Sequence, residues 1–191
     1  INEIMYHPAT DGDAEYIVEQ LDVFGDAEYI ELLNVSEAAV TLFDYACGEP
    51  WRLESESGIL CSFPTDPPLT IEPNERILMV KDLAAVQQCY GVPADVAVVN
   101  WGPIRLANRG EKLQLFKPGD VDDKGIRYWI EVDRVSFSDG SHGENSPDGI
   151  DPWPVAADGD GPSLNRLFPS RYGNDPNNWH ATIPTPGAVN D

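Results

Sequence analysis

The stretch Asp151, Pro152, Trp153, Pro154, Val155, Ala156, Ala157, Asp158, Gly159, Asp160, Gly161, Pro162, Ser163, Leu164 decides what kind of fold this chain can have. Two prolines flank a tryptophan, fixing φ and withholding their N–H groups, and a Gly-rich acidic turn follows before apolar residues return at Leu164 and Leu167. Neither a helix nor a central strand accommodates that order. It reads as a rigid surface cross-over whose Trp153 plugs the end of a β-core, with Asp158 and Asp160 left facing solvent or an ion.

The segments on either side read as short strands. Residues 3–6 form one, ended by His7 and Pro8, and a polar loop with Gly12 follows. Asp13, Ala14, Glu15, Tyr16, Ile17 then recurs as Asp26, Ala27, Glu28, Tyr29, Ile30. The second copy belongs to the core, because residues 29–33 alternate as a strand does, and residues 15–24 read as an inserted hairpin arm or short helix. Further strands are expected at 40–42, at 51–53, turning through a four- or five-residue loop into 59–63, and at 69–71, with 76–80 as the most continuous and central strand. Asp82 reads as the N-cap of a helix over 83–90 stopped by Gly91, with Leu83, Val86 and Tyr90 on the side that lies against the sheet. Strands at 96–99, 112–116 and 128–137 follow, with 118–125 and 138–149 as loops and 174–191 as a Pro/Asn-rich tail pinned by Trp179. About nine strands and one short helix add up to an all-β, antiparallel β-sandwich, since an α/β fold needs repeated helical crossovers.

The totals set outer bounds. A length of 191 residues with 41% hydrophobic content supports a packed core in a single domain spanning 1–191. No apolar run approaches the roughly 18 residues of a membrane span, so no membrane insertion is expected. The net charge of −21 repels phosphate backbones, which excludes nucleic acid as a partner and suits divalent cations, basic proteins or a saline habitat. Cys47, Cys61 and Cys89 allow one disulfide with a thiol left over, or three thiols; in a secreted protein Cys47 with Cys61 closes the shortest loop. No Cys/His cluster has zinc spacing. The chain opens on Ile1 directly in a strand, as an excised piece of a longer protein would.

Four groups of residues together resemble the bacterial lamin-tail domain, an immunoglobulin-like family: Asn2 to Pro8; Glu28 to Asn34; Leu106 to Glu111; and Trp153, Pro154, Ala157, Asp158, Gly159, Gly161, Ser163, Leu164. The likeness runs from Ile4 to Pro186 and Gly187, with residues 13–27 standing out as an insertion. The resemblance implies an immunoglobulin-like sandwich appended to large secreted or surface proteins, beside enzymatic, calcium-binding or adhesive domains, with no activity of its own.

The acidic loops are the best candidates for chemistry. Asp148, Asp151, Asp158 and Asp160 lie within thirteen positions, and Asp120, Asp122 and Asp123 form a second group. Carboxylates on flexible Gly-containing loops are what Ca²⁺ takes as ligands, although neither group matches the EF-hand spacing; the alternative is turn-forming aspartates bonding their own backbone. His142 among Asp139, Ser141 and Glu144 looks like a hydrolytic cluster but sits on a Gly/Ser loop without the rigidity a triad needs, and His7 and His180 are isolated. Five tryptophans, Trp51, Trp101, Trp129, Trp153 and Trp179, either fill the core or expose a sugar-binding platform. Cys89 reads as a small buried hydrophobe.

The expectation is therefore a non-enzymatic binding, adhesion or structural module of a secreted or cell-surface bacterial protein, stabilised by calcium and recognising protein or glycan through a strand edge. The competing readings are a metal-dependent hydrolase using the acidic loops, and a passive spacer domain.

Overall fold

The computed structural model describes residues 1–9 and 25–190. Among them the strands are β1 (Glu3–Met5), β2 (Tyr29–Leu33), β3 (Val40–Thr41), β4 (Phe43–Asp44), β5 (Glu49–Pro50), β6 (Arg52–Ser55), β7 (Gly58–Ser62), β8 (Thr70–Ile71) and β9 (Arg76–Val80), then helix α1 (Leu83–Cys89), then β10 (Ala97–Asn100), β11 (Lys112–Val121), β12 (Arg127–Ser136), β13 (Ser163–Arg166) and β14 (Trp179–Thr182). They form a six-stranded sheet in the order β10-β9-β2-β1-β13-β14, a four-stranded sheet β12-β11-β6-β7, and the ribbons β3-β8 and β4-β5. The fold is predominantly β, with strands in several sheets.

Side-chain alternation explains where the core sits. Ile4, Ile30, Ile77 and Met79 of the six-stranded sheet share one buried apolar cluster with Leu53, Leu113, Leu115 and Val135 of the four-stranded sheet. The intervening residues Met5, Tyr29, Leu78 and Val80 point to the other face, where they pack with Ala85 and Val86 of α1. Residues 76–80 read as a continuous apolar run because both faces of β9 are covered. The cross-over that the sequence singled out behaves as expected at Trp153, which is buried in the main cluster with its ring centroid 6.2 Å from that of Trp179.

Several expectations are corrected. One strand pair is parallel: β10 runs alongside β9 from Ala97 opposite Ile77 to Asn100 opposite Val80, and α1 is the crossover that a parallel pair requires. The strands number fourteen among the described residues; those not expected are the two-residue pair β4-β5, β14 within the tail, and β13, an interior strand of the six-stranded sheet that takes in Ser163 and Leu164 from the stretch read as excluding a central strand. The β6-β7 hairpin closes through Glu56 and Ser57 alone, between Ser55 and Gly58, and a bulge at Leu53/Glu54 takes up the register. β11 continues through Pro118 to Val121, where 118–125 reads as loop from sequence. Beyond Phe116 it has lost its partner β6, so Pro118 sits where no outward N–H is needed.

The helix has its expected caps, Asp82 Oδ1 accepting from Ala85 N at 2.9 Å and Gly91 N donating to Gln87 O at 3.1 Å. On the expected side Val86 is buried and Tyr90 packs against the same cluster, but Ala85 is the other buried residue and Leu83 in the first turn is exposed. All three cysteines are unpaired, with Cys47 Sγ near Asp44 O and Cys61 Sγ near Ser62 O in place of a Cys47–Cys61 bridge. The first Asp-Ala-Glu-Tyr-Ile copy, residues 15–24, and nearly all of the 13–27 insertion lie outside the described residues.

Truncating Trp153 to Ala is expected to cost about 3–5 kcal/mol, as for other large core aromatics, whereas the exposed neighbour Val155→Ala stays within about 0.5 kcal/mol. Urea unfolding of the two variants checks this contrast.

Candidate functional site

Buried carboxylates, which cost free energy unless partnered, stand on the outer face of the six-stranded sheet at Glu3 and Glu31, and just before β2 at Glu28. Glu3, Glu28 and Glu31 are all buried. Glu3 stands between Asn165 on β13 and Glu31 on β2. Its Oε1 accepts from Tyr29 Oη (2.5 Å), Ser163 Oγ (2.5 Å) and Thr185 N (2.9 Å), and its Oε2 from Thr185 Oγ1 (3.1 Å). Glu31 accepts from Asn2 Nδ2 (2.7 Å) and from Gly187 N (2.8 Å), with Arg76 Nε 3.3 Å away. Glu28 accepts from Leu106 N at 2.7 Å.

The C-terminal tail is therefore fastened by carboxylates as well as by Trp179. Gly187 fits that role because its φ is +80° and a Cβ there would come within 2.7 Å of Val96 Cγ2. Burial pushes Glu28 and Glu31 up to about 7 from an ordinary 4.5, against the lowering effect of their hydrogen bonds. Sequence reading placed Glu3 and Glu31 on strands without seeing their role. The available signal was their company on that face, since Met5 and Tyr29 beside them are apolar.

The aspartates expected to bind metal do different jobs. Asp148 Oδ1 accepts from Ile150 N at 3.2 Å. Asp151 accepts from Ser138 Oγ (2.5 Å), His142 N (3.0 Å) and Trp153 N (3.1 Å), locking the 138–151 loop onto the cross-over. Asp158 Oδ1 lies 2.6 Å from His7 Nδ1, which ties the end of the first strand segment to the cross-over, and Asp160 is exposed. In the second group, Asp122 caps its own turn through Lys124 N and Ile126 N at 2.9 and 2.7 Å.

His142 faces Glu144 at 2.9 Å and Asp139 at 3.8 Å, while Ser138 is bonded to Asp151 and not to the histidine. Beneath these loops the Tyr6 hydroxyl is buried without a hydrogen-bond partner among the described residues, its ring 4.7 Å from Phe137. Burial and the charges of Asp158, Asp139 and Asp151 hold its pKa well above the ordinary phenol value. Among the described residues no three His, Cys, Asp or Glu side chains form a metal-holding group. A calcium site on these loops would draw on backbone carbonyls as well.

The tryptophans are core or half-buried: Trp101, Trp153 and Trp179 lie inside, and the Arg52 guanidinium covers Trp129 at 3.6 Å from the ring centroid. Burial raises the Cys61 thiol to about 11, so it behaves as a hydrophobe, and burial raises Cys89 too. The described residues also frame concavities. One, of about 620 Å³, lies between Arg109, Glu111, His142 and Asp151; another, of about 440 Å³, lies between Leu42, Trp51, Val132, Arg166 and Tyr172.

A group of exposed apolar side chains lies on the β11-β12 hairpin. β12 is an edge strand of its sheet, and past Phe116 the β11-β12 ribbon has no third strand. Tyr128, Ile130 and Val132 on β12, with Val121 and Ile126 at the turn, are all exposed. The ribbon from Lys112 to Ser136 balances five basic against five acidic residues in a chain whose net charge is −21. Such a strand edge accepts main-chain hydrogen bonds and apolar contacts from another chain.

No family model, curated protein or solved structure matches the chain.

A carboxyl group raised in the fold binds a proton that the unfolded chain releases, so stability falls as pH rises from about 4.5 through about 7 for Glu28 and Glu31. Thermal unfolding is expected at a higher temperature at pH 5 than at pH 7.5. Charge repulsion has the same sign, so the discriminating measurement is the double variant Glu28→Gln, Glu31→Gln, in which the pH slope shrinks.

Proposed function

We propose that the chain is an immunoglobulin-like β-sandwich of the lamin-tail type, acting as a non-catalytic binding module of a secreted or cell-surface bacterial protein. The observation that carries this reading is that the sequence groups bearing the resemblance bond to one another. Group 2–8 reaches group 153–164 through His7 with Asp158 and through Glu3 with Ser163. Asn2 reaches Glu31, Glu28 reaches Leu106, and Gly187 reaches Glu31. Residue types that look unremarkable one at a time are mutual partners, and a shared core between the two sheets supports the sandwich arrangement.

Partner binding is assigned to the β12 edge, with a protein ligand adding a strand beside Tyr128, Ile130 and Val132. The electroneutral ribbon is where an anionic chain approaches another protein at least electrostatic cost. Immobilised wild-type domain, presented with a panel of extracellular proteins and glycans, is expected to retain a protein ligand that the Ile130→Glu, Val132→Glu variant loses. Retention unaffected by those changes contradicts the edge assignment. Turnover in a hydrolase screen that Asp158→Ala abolishes contradicts the non-catalytic reading.

The calcium proposal rests on Asp148, Asp151, Asp158 and Asp160. If it holds, Ca²⁺ at a hundred times its Kd adds about 2.7 kcal/mol, a rise of roughly 5–11 °C in unfolding temperature over EDTA for a domain of this size. An unchanged temperature leaves these aspartates as turn-formers.

A further inference from the structure

Asp26 and Lys81 meet where the start of β2 lies beside the end of β9. The two main chains are tied there by Lys81 N donating to Glu28 O at 3.1 Å. The Lys81 side chain is only 7% exposed, and its Nζ contacts Asp26 Oδ1. Arg105 Nη2 donates to the same oxygen at 2.9 Å, while Arg105 Nη1 donates to Gly25 O and lies 3.8 Å from Glu28 Oε1. One carboxylate oxygen is thus shared between an amine and a guanidinium that is itself anchored on the backbone.

Three physical features distinguish this arrangement from a surface ion pair. The Lys81 amine is largely removed from solvent, and in its neutral form it is a nucleophile. The proton it gives up has an acceptor in contact, and transfer leaves a neutral amine against a neutral carboxylic acid, the two components of an amide. Both are held by neighbouring strands, and such positioning raises the effective concentration of reacting groups to about 10⁵–10⁸ M. Arg105 donates to the oxygen on which negative charge develops during attack.

We infer that Lys81 and Asp26 condense into an intramolecular isopeptide bond. One proton of the ammonium passes to the Asp26 carboxylate, and the Nζ lone pair attacks Cγ. The second proton leaves nitrogen as the tetrahedral intermediate collapses, the Cγ–OH bond breaks, and water departs. Ammonium plus carboxylate becomes amide plus one water, with no oxidant or cofactor consumed. The bond joins residues 55 positions apart across β2 and β9, inside the six-stranded sheet, and restricts the unfolded chain as a disulfide does. It does not depend on the binding reading.

The test is the intact mass of the purified chain. The wild type is expected one water lighter than its sequence, with a proteolytic fragment in which the Asp26 and Lys81 peptides are joined. Lys81→Arg and Asp26→Ala are expected at the full sequence mass. Asp26→Asn closes with loss of ammonia and reaches the mass of the closed wild type. A wild type at its full sequence mass overturns the inference, and needs no variant to fold. A Lys81→Arg protein that is also one water lighter overturns it equally, by placing the dehydration elsewhere.

Discussion

The Glu3 carboxylate lies in the middle of the six-stranded sheet, on the face turned away from the main core, and the arrangement around it constrains the rest of the chain. A buried charge without donors is among the most costly features a fold can hold, and each hydrogen bond to one is worth about 1.5–3 kcal/mol. Its donors come from three distant places: Tyr29 on β2, Ser163 on β13 and Thr185 in the tail. The first strand can therefore sit between β2 and β13 only if the tail returns across it. Glu31 repeats the logic one strand over, with Asn2 and Gly187 as partners. Chain ends that are 188 positions apart are thereby bonded, Asn2 Nδ2 donating to Asn190 Oδ1 at 2.9 Å.

The two faces of this sheet carry different kinds of interaction. Toward the four-stranded sheet, burial of Ile4, Ile30, Ile77 and Leu164 supplies non-directional stabilisation of about 1.5–3 kcal/mol per side chain. On the other face, the polar bonds are directional and fix which segment covers which. At the end of the core, Asp151 and Asp158 do the same for the loops, holding the 138–151 segment and His7 against the cross-over that contains Trp153. Beyond Phe116 the β11-β12 ribbon lies outside this web, whereas at its base Asp133 pairs with the Ile1 amino group and Arg166, Arg134 donates to Tyr172 Oη and Ser136 N donates to Asn174 Oδ1. The outer part has main-chain partners on one side and exposed apolar side chains, which is why the proposed partner surface falls there and not in the aspartate loops.

The general class of the fold was legible because strand periodicity and punctuation are local. Residues 29–33, 76–80 and the capped helix after Asp82 needed nothing beyond their own sequence, and Trp153 between two prolines announced a core plug. What sequence reading missed depended on partners far away. Whether β10 runs parallel to β9 is decided by tertiary packing of α1 on Met5, Tyr29 and Val80, and Leu83 is exposed because Ala85 and Val86 take that face. Pro118 reads as a loop residue until one sees that β6 no longer flanks β11 there. Glu3 and Glu31 look like ordinary outward positions of a half-exposed strand, and nothing local announces that the returning tail bonds them through Thr185 and Gly187. The aspartates drew attention through clustering in sequence, yet Asp148 and Asp151 bond backbone N–H groups of their own loop and Asp158 bonds the distant His7.

The most direct test of this account is the unfolding temperature of a chain ending at Thr182, which removes Thr185 and Gly187 and leaves Glu3 and Glu31 without those donors. Loss of these hydrogen bonds, at about 1.5–3 kcal/mol each, predicts a fall of at least roughly 6 °C at neutral pH in a domain of this size, accompanied by loss of hydrogen-exchange protection in β1 and β2. An unchanged unfolding temperature, with both strands protected as before, would contradict the claim that the tail is what makes the buried carboxylates tolerable.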